Sequence, residues 1–282
     1  MYNIRKLGPI LLGTLLLTVG CSASPDKLMS EVIENMNGTS SYTLVANTKM
    51  TTDIEGQAAV TIDSTYETKG TISPEALLSI TNTTTLEADG TNEEETKVSY
   101  IEQTEDGICY YEQQGETWYK ITVDGMDMLG DMVKTPSKVT KNFMKYLSEY
   151  EKLGEVEIDG KTCYEVLAKV PAEKFLDVIE EVNNIQDLGL SLDAIEMMSA
   201  KQEEFGGLMI KFYIDKESKT LVKQSMDLSN MMKIGLQGEF KNQGSEAAVN
   251  GVDCKMEIVY EDINNTTAVE IPEEVHSAQE LE

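Results

Sequence analysis

The chain offers few side chains that could carry out acid–base or nucleophilic chemistry. Its one histidine, His276, follows Pro272 in a C-terminal segment that the sequence predicts to be flexible. A general base must be held within hydrogen-bond reach of its substrate, and a flexible tail does not hold it there. Ser-His-Asp and Cys-His sites both need a histidine, and the sequence has no glycine-rich phosphate loop. We therefore predict a protein that is not an enzyme and has no catalytic residue.

Acidic residues and cysteines give no metal-binding pattern. Asp124, Asp127 and Asp131 lie close together but lack the alternating ligands and the glycine of a calcium loop, so they are interpreted as the solvated start of a helix. Three cysteines have neither C-x-x-C spacing nor a nearby histidine: Cys109, Cys163 and Cys254. They can form one disulfide with one thiol left over, or remain three buried thiols. We predict no metal and no cofactor.

The first twenty residues have the pattern of a secretory signal peptide. Arg5 and Lys6 are their only charges, and an uncharged, leucine-rich stretch extends from residue 7 to residue 20. This stretch is too short for a comfortable membrane span, which needs about 20 apolar residues. We predict that residues 1–20 are removed on export.

Cys21 is the predicted site of a lipid anchor. The run Leu17-Thr18-Val19-Gly20-Cys21 resembles the lipobox of bacterial lipoproteins, in which a small residue precedes the cysteine that receives a diacylglyceryl group. Thr18 stands where leucine is usual, and the alternative is a plain secretory signal that ends at a cysteine. Each buried methylene contributes about 0.8 kcal/mol, so two acyl chains suffice for anchoring. Residues 21–24 are thus the predicted anchor segment, on the extracytoplasmic face of the cell membrane.

The charge of the chain excludes several partners. Acidic residues outnumber basic ones 50 to 23, for a formal charge of −27. Export would also remove Arg5 and Lys6, which leaves −29. Such a surface repels nucleic acid and anionic lipid headgroups, so we predict no nucleic-acid partner and a membrane partner held through lipid alone.

Alternation of apolar and polar residues predicts antiparallel strands at both ends of the domain, and 3.6-residue periodicity predicts helices between them. The predicted strands cover about 42–54, 58–67, 78–86, 98–100, 108–112, 118–123, 208–215, 221–234, 236–241 and 252–260, and a hairpin covers 155–170 with its turn at Asp159-Gly160. The predicted helices cover 25–36, 126–150 and 172–204. No strand–helix–strand alternation occurs, so we predict one α+β domain over residues 25–275 and a disordered tail over 276–282.

A family resemblance extends over roughly residues 25–276. It depends on short motifs in a fixed order: Ser41-Tyr42, Tyr110-Tyr111, Trp118-Tyr119-Lys120, Phe212-Tyr213-Ile214-Asp215-Lys216 and Ile271-Pro272-Glu273-Glu274-Val275. This order resembles a family of uncharacterised lipoproteins of Gram-positive bacteria, itself similar to the LolA/LolB lipoprotein carriers and the mycobacterial LppX-type lipoproteins. The resemblance implies a curved antiparallel sheet, an unclosed half-barrel, with helices packed on its concave face. In the carriers, a cavity between sheet and helices holds acyl chains.

A cavity of this kind would be lined by alternate strand residues and by helix residues, including some of the fifteen methionines, whose flexible thioether chains adapt to irregular apolar shapes. The predicted ligand-binding residues are Tyr42, Leu44, Ala46, Val60, Ile62, Met128, Met132, Phe143, Leu147, Leu176 and Ile179. The same methionines could instead fill an ordinary core. The predicted function is therefore a lipoprotein that binds a lipid or another hydrophobic molecule. The alternative is a structural lipoprotein that docks another cell-envelope protein and has no ligand cavity.

Overall fold

The computed structural model describes residues 24–123, 145–174, 197, 201, 206–244 and 247–281. In chain order, its elements are α1 Pro25–Met36, β1 Ser41–Ile54, β2 Val60–Thr71, β3 Leu77–Ala88, β4 Thr91–Thr104, β5 Gly107–Gln114, β6 Thr117–Val123, β7 Ser148–Ile158, β8 Lys161–Val170, a 3₁₀ turn Ala172–Lys174, β9 Leu208–Asp215, β10 Leu221–Asp227, α2 Ser229–Asn242, β11 Val249–Glu261, α3 Glu273–His276 and β12 Gln279–Glu280.

The strands form one curved sheet in the order β12-β6-β5-β4-β3-β2-β1-β11-β10-β9-β8-β7. Every neighbouring pair is antiparallel except β12 and β6, which are parallel. Strand β11 lies between β1 and β10 and so joins the two halves of the chain into one sheet. The sheet does not close on itself. This is the α+β half-barrel that the sequence predicted, and the fold class is confirmed.

The two faces of the sheet differ in what covers them. We call the face against which α1 and α2 pack the inner face, and the opposite one the outer face. Helix α1 begins after Ser24, whose hydroxyl accepts a hydrogen bond from the Lys27 N–H, with Pro25 at its first position. Its buried side chains are Leu28, Met29, Val32 and Met36. Each such burial contributes about 1.5–3 kcal/mol, which fixes α1 to the sheet.

The main core lies between these helices and the inner face of β8–β11. Its buried members include Val166 from β8, Phe212 and Ile214 from β9, and Tyr260 from β11. The hairpin predicted at Asp159-Gly160 is confirmed. Both residues have positive φ, 49° and 77°, as the turn of a two-residue β-hairpin requires.

Three predicted elements were wrong. Residues 148–150 belong to strand β7 and not to a helix, because their backbone pairs with β8. The strands predicted over 221–234 and 236–241 end at residue 227, and 229–242 form α2. There the Asp227 carboxylate accepts a hydrogen bond from the Ser229 N–H at 3.0 Å and so stabilises the start of the helix. The tail predicted to be disordered after Pro272 instead forms α3 and β12. The helices predicted over 126–144 and 175–204 lie almost wholly outside the described residues.

Candidate functional site

The five strand residues predicted to line a cavity all lie on the inner face. In the β1–β2 register, Tyr42 is opposite Gly70, Leu44 is opposite Thr68 and Ala46 is opposite Tyr66. Further along, Ile62 is opposite Met50 and Val60 is opposite Thr52. Directly opposed residues in an antiparallel pair point to the same side, so these side chains share one face.

These residues do not belong to one small pocket. Tyr42 and the partner of Val60, Thr52, are ten residues apart on β1, about 33 Å along an extended strand. Tyr42 is 2% exposed, and Leu44 packs against the main core. Ala46, Val60 and Ile62 are half-buried. Tyr42 and Leu44 therefore extend the core, and only the other three border a partly open surface.

Of the remaining predicted residues, only Leu147 lies in the described part of the chain. Leu147 is buried in the main core with α1. The other helical candidates and the lipidation site lie outside the described residues: Met128, Met132, Phe143, Leu176, Ile179 and Cys21.

The partly open surface is larger than the sequence-based set. Met50, Ile62 and Leu86 form one row across β1, β2 and β3, and Ala46 and Tyr66 form a second row. We call these five residues the inner-face patch. Tyr66 and Leu86 are the most exposed of the five, at 40% and 37%. The period-two pattern that predicted β2 and β3 contains both, so the pattern could have placed them in the site.

A row of hydroxyl groups separates the two apolar rows. Thr48 on β1 is opposite Ser64 on β2, which is opposite Thr84 on β3. The hydroxyls of Ser64 and Thr84 are 3.1 Å apart and hydrogen-bonded. This surface offers apolar contact with a few hydrogen-bonding groups between, the kind of lining that orients a ligand with one polar group.

On β4 the inner-face residues beside the patch are charged, whereas Ile101 further along the same face is buried. Glu93 lies beside Leu86, and Lys97 lies beside Asn82 in the row of Tyr66. The inner-face patch is therefore bounded by the main core on one side and by charged side chains on the other.

The lone histidine is ordered but does not form a catalytic arrangement. His276 lies in α3 on the outer face, with its ring edge-on to Tyr111 and its Nδ1 3.8 Å from a Glu102 oxygen. The Tyr111 hydroxyl donates a hydrogen bond to the same Glu102 oxygen at 3.0 Å. Burial first, and then this hydrogen bond, raise the pKa of Tyr111. A protonated tyrosine and a partly exposed histidine on the outer face cannot act on a ligand at the inner-face patch.

The cysteines at positions 109, 163 and 254 are free and buried. Burial raises the pKa of the Cys254 thiol to about 11, and it also raises the pKa of the Cys163 thiol. A thiol must ionise to act as a nucleophile, so neither is reactive at neutral pH. Of the two alternatives that the sequence left open, the structure has three buried thiols.

The described ranges contain neither a metal cluster nor a membrane-spanning helix. Within residues 24–123, 145–174, 206–244 and 247–281, no three His, Cys, Asp or Glu side chains come together as a metal would require. Among the helices in these same ranges, none has the length and apolar character needed to cross a membrane.

An unclosed antiparallel sheet with helices on its inner face and a partly open apolar patch defines the class of curved-sheet half-barrel proteins. The chain belongs to DUF6612, a family of unknown function whose sequence pattern matches residues 24–280. Among curated proteins, none matches the sequence.

Solved structures to which the chain is similar include two mycobacterial proteins. LprF from Mycobacterium bovis is 12% identical, with 90% of this chain and 98% of that chain covered and a TM-score of 0.46. The lipoprotein LppX from Mycobacterium tuberculosis is 11% identical, with 88% and 100% covered and a TM-score of 0.39. A LolA superfamily protein from Nitrosomonas europaea is 8% identical, with 90% and 97% covered and a TM-score of 0.22. LppX and the LolA superfamily, which the sequence resembles, are both among the structures matched.

Proposed function

We propose that this chain is a membrane-anchored extracytoplasmic lipoprotein that holds a lipid or another hydrophobic molecule against the inner face of its sheet and catalyses no reaction. The observation that carries the proposal is the unequal covering of that face. Helices seal it over β8–β11, whereas the inner-face patch on β1–β3 remains partly open.

The contrast in exposure is large. Phe212 and Ile214 in the sealed half are 1% and 0% exposed, whereas Tyr66 and Leu86 in the patch are 40% and 37% exposed. Exposed apolar surface costs about 25 cal/mol per Å², so a ligand that covers the patch recovers that free energy. In the hydroxyl row, Ser64 and Thr84 share one hydrogen bond, so one of their two O–H groups is still available to a ligand. A polar group on the ligand that pairs with it favours an amphiphile over a pure hydrocarbon.

The anchoring part of the proposal depends on Cys21 and its surroundings in the sequence. The cysteine lies three residues before Ser24, which caps α1. Only two residues, Ser22 and Ala23, separate the proposed anchor from Ser24, so the sequence leaves no room for a long linker between domain and membrane. A ligand drawn from the bilayer would have a short path to the sheet.

The test is binding of a fluorescent fatty acid to the full-length chain purified in a mild detergent, together with native mass spectrometry for a co-purified lipid. Ala46→Trp fills the inner-face patch and should weaken probe binding at least tenfold, which corresponds to about 1.4 kcal/mol. The matched control is Val45→Trp, because Val45 is the neighbouring residue on the outer face and pairs with Val259. That variant should bind the probe as the parent does.

Two results would refute the proposal. One is a parent protein that binds no probe and carries no lipid, combined with an Ala46→Trp variant that melts early. An overpacked core costs about 1–3 kcal/mol, so this pairing would indicate a filled core and would favour the docking lipoprotein. The other is equal loss of probe binding in Ala46→Trp and Val45→Trp, which would place the binding away from the inner face.

A further inference from the structure

The C-terminal residues cover one edge of the sheet. We call residues 273–281 the C-terminal clasp. Val275 in α3 is 0% exposed and packs with Cys109 and Tyr111 on the outer face. Strand β12 then pairs with β6 in parallel, with Gln279 beside Tyr119. The Leu281 N–H donates a hydrogen bond to the Lys120 carbonyl at 2.9 Å, which extends the pairing by one residue.

Glu280 completes this cover with its side chain. Its carboxylate lies 3.0 Å from the Lys120 ammonium and accepts hydrogen bonds from both the hydroxyl and the backbone N–H of Thr122. These contacts, with Lys120 first, hold the pKa of Glu280 below its ordinary value. The Lys120 carbonyl and the Thr122 N–H, two backbone groups that β6 would otherwise present at the edge, are thus paired within the chain.

The strand at the opposite edge of the described sheet is protected differently. Strand β7 carries Glu149, Glu151, Glu155 and Glu157, and its pairing with β8 has two register shifts. Charge and irregular backbone are standard means by which an edge strand avoids pairing with another chain. Strand β7 therefore needs no covering segment.

Strand β6 is less protected than β7. Its residues are Thr-Trp-Tyr-Lys-Ile-Thr-Val, with Lys120 as the only charge, and its pairing with β5 has no register shift. Aromatic and β-branched residues with little charge are typical of segments that pair between chains. Because β6 has no acidic residue, two copies of this acidic chain would repel each other less at β6 than at β7.

We infer that the C-terminal clasp covers a self-association surface, and that its release lets β6 pair with β6 of a second copy of this chain. The surface consists of the β6 edge and the aromatic side chains of Tyr100, Tyr111 and Trp118 beneath α3. The clasp is held by one fully buried side chain, a two-residue ladder and the contacts of Glu280 and Leu281 with β6. All of these contacts lie at one edge, so the clasp can detach without disturbing the rest of the sheet. A dimer joined in this way would be a symmetric pair with one continuous sheet.

The test compares two substitutions in the full chain, with association measured by sedimentation equilibrium in a density-matched detergent. Leu281→Pro removes the N–H that bonds to Lys120, whereas Leu281→Ala keeps that N–H and loses the same side chain. The dimer dissociation constant of Leu281→Pro should be at least tenfold lower than that of Leu281→Ala. A chain ending at Pro272 lacks the whole clasp and should have a still lower dimer dissociation constant. Addition of a peptide of residues 271–282 should return this shortened chain to the monomer.

A second variant tests which surface is responsible for association. In the chain ending at Pro272, Thr122→Pro removes an edge N–H of β6 and should restore the monomer. Persistence of the dimer in that variant would overturn the inference, because another surface would then be responsible. A shortened chain that stays monomeric would overturn it too. If the circular dichroism spectrum shows that the shortened chain is unfolded, the two full-length variants decide. Equal dimer dissociation constants for Leu281→Pro and Leu281→Ala would then overturn the inference.

Discussion

Replacement of Gly70 by alanine should be among the most destabilising single-methyl changes in the sheet. Gly70 lies in β2 with φ +145°, and a Cβ built there would be 2.0 Å from the Leu77 carbonyl oxygen of β3. The backbone conformation costs an L-residue about 1–3 kcal/mol. Moving β3 to relieve the contact adds about 1–3 kcal/mol, as other overpacked sites do. The sum is about 4 kcal/mol, a large share of the about 5–15 kcal/mol that stabilises a typical domain.

Gly56→Ala is the matched control for this change. Gly56 lies in the turn between β1 and β2 with φ +75°, and a Cβ there meets nothing within 4 Å. Only the left-handed conformation opposes the new methyl group, at about 1–2 kcal/mol. Urea unfolding followed by tryptophan fluorescence should therefore show a clearly lower midpoint for Gly70→Ala than for Gly56→Ala, at similar slope. Equal midpoints would refute the argument from close approach of β2 and β3.

Four further predictions can be checked separately. Cys21→Ser should abolish labelling with a clickable fatty acid and release the protein from membranes; equal label on mutant and parent would end the anchoring proposal. The Cys254 thiol should resist iodoacetamide at pH 8 until the protein is denatured, because burial raises its pKa to about 11. Asp227→Ala should lower the free energy of unfolding at pH 7 by about 0.5–1.5 kcal/mol through loss of the hydrogen bond from the Ser229 N–H at the start of α2. The hydrogen bonds from Ser229 lower the Asp227 pKa, so this difference should be present above the ordinary pKa of 3.8 and vanish as the pH falls through the lowered value. His276→Ala should leave fatty-acid binding unchanged, since His276 lies on the outer face.

The strands in the first half of the chain were predictable because one face of each strand is packed in the protein and the other faces solvent. Alternation from Tyr42 to Ile54 and from Leu78 to Leu86 therefore survives in the sequence, and both segments are strands. Helix α1 was predictable for a similar reason, since Ser24 and Pro25 mark its start and its buried residues recur at helical spacing.

Helix α2 was mistaken for strands because its sequence carries a weak periodic signal. Met231 and Ile234 are buried at helical spacing, but Met232, Ile234 and Leu236 also fall on alternate positions, as strand residues would. The hydrogen bond from the Ser229 N–H to Asp227 marks the start of the helix, and local periodicity does not register it. The C-terminal clasp was missed for a different reason. Its order comes from contacts with β5 and β6, more than 150 positions earlier in the chain, as Val275 shows with Cys109.

The sequence predicted which face of the sheet carries the candidate site, but it did not predict how far the site extends. Period-two alternation assigns Tyr42 and Val60 to the same face, but it does not state how far apart they lie or which helix covers them. Tyr42 is 2% exposed and Tyr66 is 40% exposed although both lie on the inner face, and only the assembled fold determines that difference.

The fixed position of α1 has a consequence for how the molecule would stand on a bilayer. Cys21 and Ser24 are three residues apart, so the distance between a lipidated Cys21 and the start of α1 would be at most about 10 Å. At the far end of the twelve-residue helix, about 18 Å further on, the Asn35 amide donates a hydrogen bond to the Ser218 carbonyl in the β9–β10 turn. That turn would then lie within about 30 Å of the lipidated cysteine. Lipid on Cys21 would thus keep the α1 end of the sheet close to the bilayer, whichever way the helix axis points.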